Sequence, residues 1–457
     1  MLDAFTDLYQ HVAGHGPDQA VVVGDEPVLP GRFQVDAAAA ACVGTATLAA
    51  AELWRARGGE PGRVTVDTRH AALAFTTERW LRVDGQVPGA AWAELSGDYP
   101  AADGWVRLHC NYPHHARAAC AALAVPADPA AVAAAVALRP ALEIEEGVLA
   151  AGGAAAAMRT EADWRAHPAG QAVRGVPLVT VDRIVDAPVR PLPPADRPLS
   201  GIRVLDLTHV IAGPVCGRTL AAHGADVLHV GAAHLPTVGP LVIDTGFGKR
   251  STHLDLRTPD GMATLRGLIA DADVFVQSFR PGTLAARGLG PERLAELSPG
   301  IVVLDLSAYG HAGPWRHRRG FDSLVQMASG IADDGAKAAD AAQPTPLPVQ
   351  ALDHGTGWLA AAAVMTALRR QRAAGGSWRL RLALARTGAW LDDLGRLADG
   401  VSPGRMPGDD DVVELLAETD SPVGRVRHLR VPGDLPGAQP RYDFGPRLPG
   451  SDPAAWW

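Results

Sequence analysis

Gly201-Ile-Arg-Val-Leu-Asp-Leu207 is a short apolar run that opens directly after a proline-rich segment, and its reading decides the fold. Five to seven mostly branched apolar residues without helical spacing describe a strand buried on both faces. The same signal returns in Ala225-Asp-Val-Leu-His-Val, Asp273-Val-Phe-Val-Gln-Ser-Phe and Ile301-Val-Val-Leu-Asp-Leu-Ser. Helix signals separate these runs: Pro214 to His223, Pro291 to Leu297, and a stretch to Ala270 opened by Thr258-Pro-Asp. That tripeptide combines an N-cap, an N1 proline and an acidic first turn. Alternation of buried strands with helices predicts an α/β fold with a parallel, doubly wound sheet. Ligands bind such sheets beyond the carboxyl ends of the strands, here the loops 208–214, 277–282 and 307–314.

Toward the C-terminus, Leu347-Pro-Val-Gln-Ala-Leu-Asp-His-Gly-Thr-Gly-Trp358 leads into an alanine-rich helix that ends in an arginine cluster before Gly375-Gly376. Asp353 sits at the mouth of that helix. It is either a plain helix-end carboxylate or a nucleophile held on a rigid element. The strand Trp378-Arg-Leu-Arg-Leu-Ala-Leu follows.

Toward the N-terminus, residues 1 to about 35 are weakly patterned. From Asp36 an alanine-rich helix passes Leu48 and Leu53 to Gly58-Gly59, and Arg63-Val-Thr-Val alternates as a half-buried strand. The order helix, arginine-rich turn, Gly-Gly, strand is shared with residues 353–391, which predicts an internal repeat. Asp353 then aligns near Ala39, so the first copy lacks the carboxylate. Residues 88–125 read as a small mixed unit containing Gly104-Trp-Val-Arg-Leu-His. Cys110, His114 and His115 lie close together there, but adjacent histidines and the absence of a second ligand pair favour a polar turn over a metal site. An alanine-rich helical pair covers 127–158, and Pro188–Pro198 reads as a linker. The resulting division is 1–190, a linker at 191–199, 200–391, and a tail at 392–457.

The chain has 457 residues, 47% of them hydrophobic, and a net charge of −8. That balance provides no electrostatic footprint for nucleic acid or for an acidic membrane. Four scattered cysteines without C-x-x-C spacing predict neither a disulfide framework nor a zinc site, and suggest a reducing cytoplasm. Apolar runs such as Ala130–Leu138 are too short to cross a bilayer.

No G-x-G-x-x-G follows the first strand, and there is neither a P-loop nor a G-x-S-x-G elbow. Dinucleotide, nucleotide and serine-hydrolase readings therefore lose their usual supports. Gly248-Lys249-Arg-Ser and Phe279-Arg280-Pro-Gly place cations where they would suit phosphate groups, although a solvated surface charge is the commoner outcome. His209 and His223 read as core or cap residues with a smaller chance of a direct role.

Pro198-Leu-Ser-Gly-Ile-Arg-Val-Leu-Asp-Leu-Thr-His-Val-Ile-Ala-Gly-Pro, Gly224-Ala-Asp-Val-Leu-His-Val, Gly248-Lys-Arg-Ser-Thr-His-Leu-Asp-Leu, Ala272-Asp-Val-Phe-Val-Gln-Ser-Phe-Arg-Pro-Gly and Gly313-Pro resemble, in order, the class III CoA-transferases of the CaiB/BaiF type. The resemblance covers about 198–391. It implies a Rossmann-like large domain with a smaller α+β domain, an acyl-CoA substrate with a carboxylic acid acceptor, an interlocked homodimer, and no permanently bound cofactor. It implies that Asp353 is the nucleophile, forming a mixed anhydride and then an aspartyl-CoA thioester, with Gly355 and Gly357 allowing close backbone approach. Leu254, Arg257, Ser278 and Phe279 would contact the CoA adenosine part, joined by the cations Lys249 and Arg280. His209, Val210 and Ile211 would border the acyl site, with Tyr309 close by. Residues 1–190 resemble the family's later half, and the tail resembles its C-terminal stretch, so the chain looks like a rearranged pair of partial copies.

Two alternatives accompany this reading. Racemases of the same family use a Gly-His-Asp run, which here is Gly320-Phe321-Asp322. Phe321 cannot carry a proton, which leaves Asp322 as a helix cap. The other alternative is a CoA-binding subunit without turnover. Acyl donor and acceptor are not readable from the sequence.

Overall fold

The computed structural model describes residues 2–18, 20–24, 27–398, 402 and 405–457. Seven strands form the main sheet in the order Lys249–His253, Asp226–Gly231, Arg203–Leu207, Val274–Gln277, Val302–Ser307, Ser377–Ala383, Thr180–Val185. All pair in parallel except the last, which runs antiparallel to Ser377–Ala383. Val274 lies in register between Val204 and Val302, and all three are fully buried, as near-continuous apolar strands require. Winding proceeds outward from Arg203–Leu207 in one direction and resumes from Val274–Gln277 in the other. A crevice therefore opens at the carboxyl ends of these two neighbours.

Two long helices form the centre of the molecule. Val35–Ala56 and Ala351–Ala374 pack against each other and are buried on almost every face. Helices apolar all round belong in a core, and their alanines let the backbones approach. Val35–Ala56 is also long and apolar enough to cross a bilayer, which the sequence reading overlooked, but here it is enclosed by protein.

The internal repeat is visible in the backbone. Gln34 (φ −79°, ψ 55°) and Gln350 (φ −76°, ψ 61°) precede the two helices in nearly the same conformation. Counted from them, Asp67 and Ala383 are again equivalent, each preceding the next helix. This register places Ala37, not Ala39, opposite Asp353. A glycine-rich turn can absorb a gap in an alignment, whereas a helix start cannot.

Other expectations shift too. Residues 2–13 form the helix Leu2–Ala13, which buries Phe5, Leu8, Tyr9 and Val12. Ala20–Val23 pairs in parallel with Val64–Asp67. Within the expected helical pair, Pro129–Ala137 and Ala141–Ala150 are helices, but Ala155–Ala157 is a strand. It completes an antiparallel sheet with Gly104–Leu108 and Gly97–Ala101. This small unit has its own core of Leu108, Cys110, Val132, Ile144 and Val148.

The expected boundaries do not separate independent bodies. Thr180–Val185 lies in the main sheet, and the hairpin Leu416–Ser421/Gly424–Leu429 pairs with Arg82–Val83. The proline-rich segment is strapped down: Arg57 donates to the Pro193 and Pro198 carbonyls, Gln371 to Pro188, and Arg372 to Leu192.

Candidate active site

Asp353 occupies the first turn of Ala351–Ala374, and only 6% of its surface is exposed. Gln350, at the N-cap, contributes no side-chain hydrogen bond. The open N–H groups are met instead from another helix, Asp322–Ala328. Its first residue, Asp322, accepts from Leu352 at 2.8 Å and Asp353 at 2.9 Å. Asp322 thus caps a helix, as expected, but not its own. Asp322 is itself fully buried and also accepts from the Gln326 amide.

This arrangement places carboxylates close together. Burial first, then the negative charges of Asp322 and Glu78, push the Asp353 carboxyl well above its ordinary value, and the Ala212 N–H acts in the opposite sense. Glu78 belongs to the N-terminal repeat and meets His354 at 3.2 Å, while the His354 ring stacks on Phe75. Burial alone would raise Glu78, but the His354 contact outweighs it and leaves this carboxyl lowered. Both halves of the chain therefore set the charge around Asp353.

Ala212 reaches Asp353 through a strained turn. Val210, which follows strand Arg203–Leu207, has φ +72°, a conformation costly for a β-branched residue and typical of functional sites. The turn leads into helix Ala212–Ala222. Gly357 makes room for it, since a Cβ there would lie 2.6 Å from the Ala212 carbonyl oxygen.

Asp353 opens on a cavity enclosing about 1310 Å³, part of it open to solvent, at the crevice between the two winding directions. The strand-end loops contribute His209 and Val210, Ser278 to Pro281, and Leu306 to Ala308. The opposite wall is Tyr112, His114 and His115 from the small unit, together with Arg316 and Arg318 to Phe321. Among the described residues, Asp353 is the only acidic side chain lining the cavity. A second cavity of about 610 Å³ shares Tyr112, His209 and Val210 with it.

The cavity thus gathers Asp353, His209, Val210, Ser278, Phe279 and Arg280 from the sequence candidates. Seven others lie elsewhere. The Lys249 ammonium is buried and bonded to Asp206 at 2.9 Å and to the Pro214 carbonyl at 2.7 Å, so its charge is already committed, although the residue borders the second cavity. Arg257 is exposed and forked onto Asp255. Leu254 packs on the core beneath the sheet edge. Ile211 is buried behind the turn. Tyr309 is buried among Trp164 and Trp315, with its hydroxyl unpartnered among the described residues. Gly355 faces Thr387 and Phe75 rather than the cavity. His223 is a buried helix C-cap.

Sequence reading did not assign a role to Tyr112, Arg316, Arg319, Glu78 or the Ala212 N–H. The run Asn111-Tyr-Pro-His-His carries a signal in its density of polar aromatic groups, although its adjacent histidines predict only a polar turn. Cys110, just before that run, lies in the small unit's core, away from the cavity wall formed by His114 and His115. Arg280 and Arg319 have no carboxylate partner among the described residues, whereas Arg318 pairs with Glu145 and lies over Trp315.

The profile of CoA-transferase family III matches this chain twice, over residues 10–190 and 199–419. An acetyl-coenzyme A transferase of Hypoxylon pulicicidum is 35% identical over 210 residues, 45% of this chain and 35% of that protein. A succinyl-CoA–D-citramalate CoA-transferase of Chloroflexus aurantiacus is 37% identical over 150 residues, 30% of this chain and 37% of the relative. The crystal structure of a CaiB/BaiF family protein from Brucella suis superposes with a TM-score of 0.39 at 27% identity, over 50% of this chain and 65% of that one. The chain spans little more than a third of the length of these two curated relatives. With the family profile accounting for most of its length in two successive matches, the chain belongs to CoA-transferase family III.

Proposed function

We propose that the protein is an acyl-CoA:carboxylate CoA-transferase with Asp353 as its nucleophile. The observation that carries this reading is the position of Asp353: among the described residues, the one acidic side chain on a large cavity, held on a rigid helix at the carboxyl edge of the sheet. A carboxylate there attacks the thioester carbonyl, releases CoA thiolate and forms a mixed anhydride. The acceptor acid and CoA then exchange through an aspartyl thioester. Removing a buried, electrostatically crowded charge favours the acylated state, because the anhydride is neutral where the carboxylate was not. Arg280 and Arg319 at the cavity are free to meet the CoA phosphates.

Isomerisation has less support. Phe321 lies flat on His109, with centroids 3.6 Å apart and planes at 4°, and it has no proton to exchange.

Hydroxylamine trapping in the presence of succinyl-CoA or acetyl-CoA, followed by peptide mass mapping, tests the assignment. A hydroxamate on Asp353 is expected. Bound acyl-CoA with no label on Asp353 would count against the nucleophile, and solvent deuterium at the substrate α-carbon would restore the isomerase reading.

A further inference from the structure

The small unit from the N-terminal half brings one hydroxyl to the cavity of Asp353. Tyr112 precedes helix Pro113–Leu123, in a turn that Asn111 holds rigidly. The Asn111 side-chain oxygen accepts from Ala93 N–H at 2.9 Å and Ser96 Oγ at 2.8 Å, and its nitrogen donates to the Ala91 carbonyl at 2.8 Å. The Tyr112 ring is wedged edge-on against His115 (5.4 Å, 84°) and lies alongside Phe321 (6.1 Å, 29°). Its position is therefore set by packing, yet its hydroxyl has no hydrogen-bond partner among the described residues. Tyr112 lines both the Asp353 cavity and the adjoining one, at the seam between them.

We propose that Tyr112 is a catalytic residue of the acyl transfer, its phenol donating a hydrogen bond to the oxyanion formed when Asp353 attacks the thioester. This rests on the transferase reading. In the step, an Asp353 carboxylate oxygen forms a bond to the acyl carbon, and the C=O π pair moves onto the carbonyl oxygen. Collapse re-forms C=O and expels CoA thiolate with the C–S bonding pair. No proton is transferred, so the donor must keep its own. Burial, with the Asp353 charge adding to it, holds the Tyr112 phenol above its ordinary value and keeps it protonated. A rigid donor aimed where charge develops stabilises the transition state more than the bound substrate.

The first test is Tyr112→Phe, which keeps the ring and its packing. We expect kcat for CoA exchange to fall about 100-fold with KM and thermal stability unchanged. A kcat unaltered in Tyr112→Phe, in a wild type that exchanges CoA, overturns the role of Tyr112 alone. A wild type that binds acetyl-CoA but exchanges nothing overturns the transferase reading and this proposal together. The second test needs no turnover. Ultraviolet titration of tyrosinate in Asp353→Asn, with Tyr112→Phe identifying the signal, is expected to show the Tyr112 phenol ionising at lower pH than in the wild type. An unmoved titration would show that phenol and carboxylate do not share a site, and would overturn the proposal.

Discussion

The Asp322 carboxylate accepts the backbone N–H of Asp353 at 2.9 Å, so the helix bearing the proposed nucleophile is capped by a side chain from a different helix. A local N-cap would have occupied position 350, where Gln350 makes no such bond. The tertiary cap ties the orientation of Asp353 to the packing of two helices and places a second buried carboxyl beside it.

Replacing Asp322 by alanine leaves two buried N–H groups without an acceptor. The expected loss is about 3 kcal/mol of folding stability, with Asp322→Asn, which keeps one oxygen, losing less. Urea denaturation at neutral pH measures both.

Stability should also carry the titration of Asp322. Burial raises its carboxyl to about 6 against an ordinary 3.8, although the Asp353 and Leu352 N–H groups and the Gln326 amide act downward. The folded state therefore holds this proton more tightly than the unfolded chain. Its contribution is present below about 4 and is lost as pH rises through about 6. Asp322→Asn should flatten that part of the stability-against-pH curve, and an undiminished slope would contradict the assignment.

Asp353→Asn should abolish transfer while stabilising the fold. The folded-state carboxyl is raised, so at neutral pH the wild type carries a buried group that resists ionisation. Removing it is expected to add upwards of about 1 kcal/mol there, and the gain should vanish in acid, where the carboxyl is protonated in both states. Thermal melts across pH, beside activity assays, read the opposition between stability and function.

Two nearby glycines should respond differently to alanine. At Gly357 the new Cβ would lie 2.6 Å from the Ala212 carbonyl oxygen, a backbone atom of the strained turn, so helices must separate. About 2 kcal/mol of stability and most activity should be lost. At Gly355 the nearest atom is the Thr387 methyl at 3.3 Å, and Gly355→Ala should be mild in both assays.

Arg280→Ala and Arg319→Ala should each raise KM for acyl-CoA by about tenfold with little effect on kcat, and the wild-type KM should rise with salt. Equal KM values in wild type and variants would remove both arginines from CoA binding.

Much of the fold is local information. Runs such as Val302–Ser307 are too apolar and branched for a surface element, and Thr258-Pro259-Asp260 marks a helix start unaided: the Thr258 side chain accepts from Gly261 at 3.1 Å. Leu2–Ala13 carries a local signal of the same kind, with Phe5, Leu8, Tyr9 and Val12 on one helical face, which a reading of residues 1–35 as weakly patterned misses. Ala155–Ala157 was not, because three alanines have no period.

Asp353 at the mouth of a buried helix, the alternating strands and helices, and the two related halves are what the sequence by itself determined, because periodicity, caps and apolar runs act over a few residues. The surroundings of that carboxylate were decided only by tertiary structure. Asp322 and Glu78 crowd it from other helices, Ala212 reaches it through a positive-φ turn, and Tyr112 arrives from the far half of the chain. The same packing spends the charge of Lys249 on Asp206 and leaves Arg280, at the cavity, without a carboxylate partner among the described residues. Which charges are neutralised, and how far a carboxyl shifts, depends on burial and on partners distant in sequence, which no local pattern records.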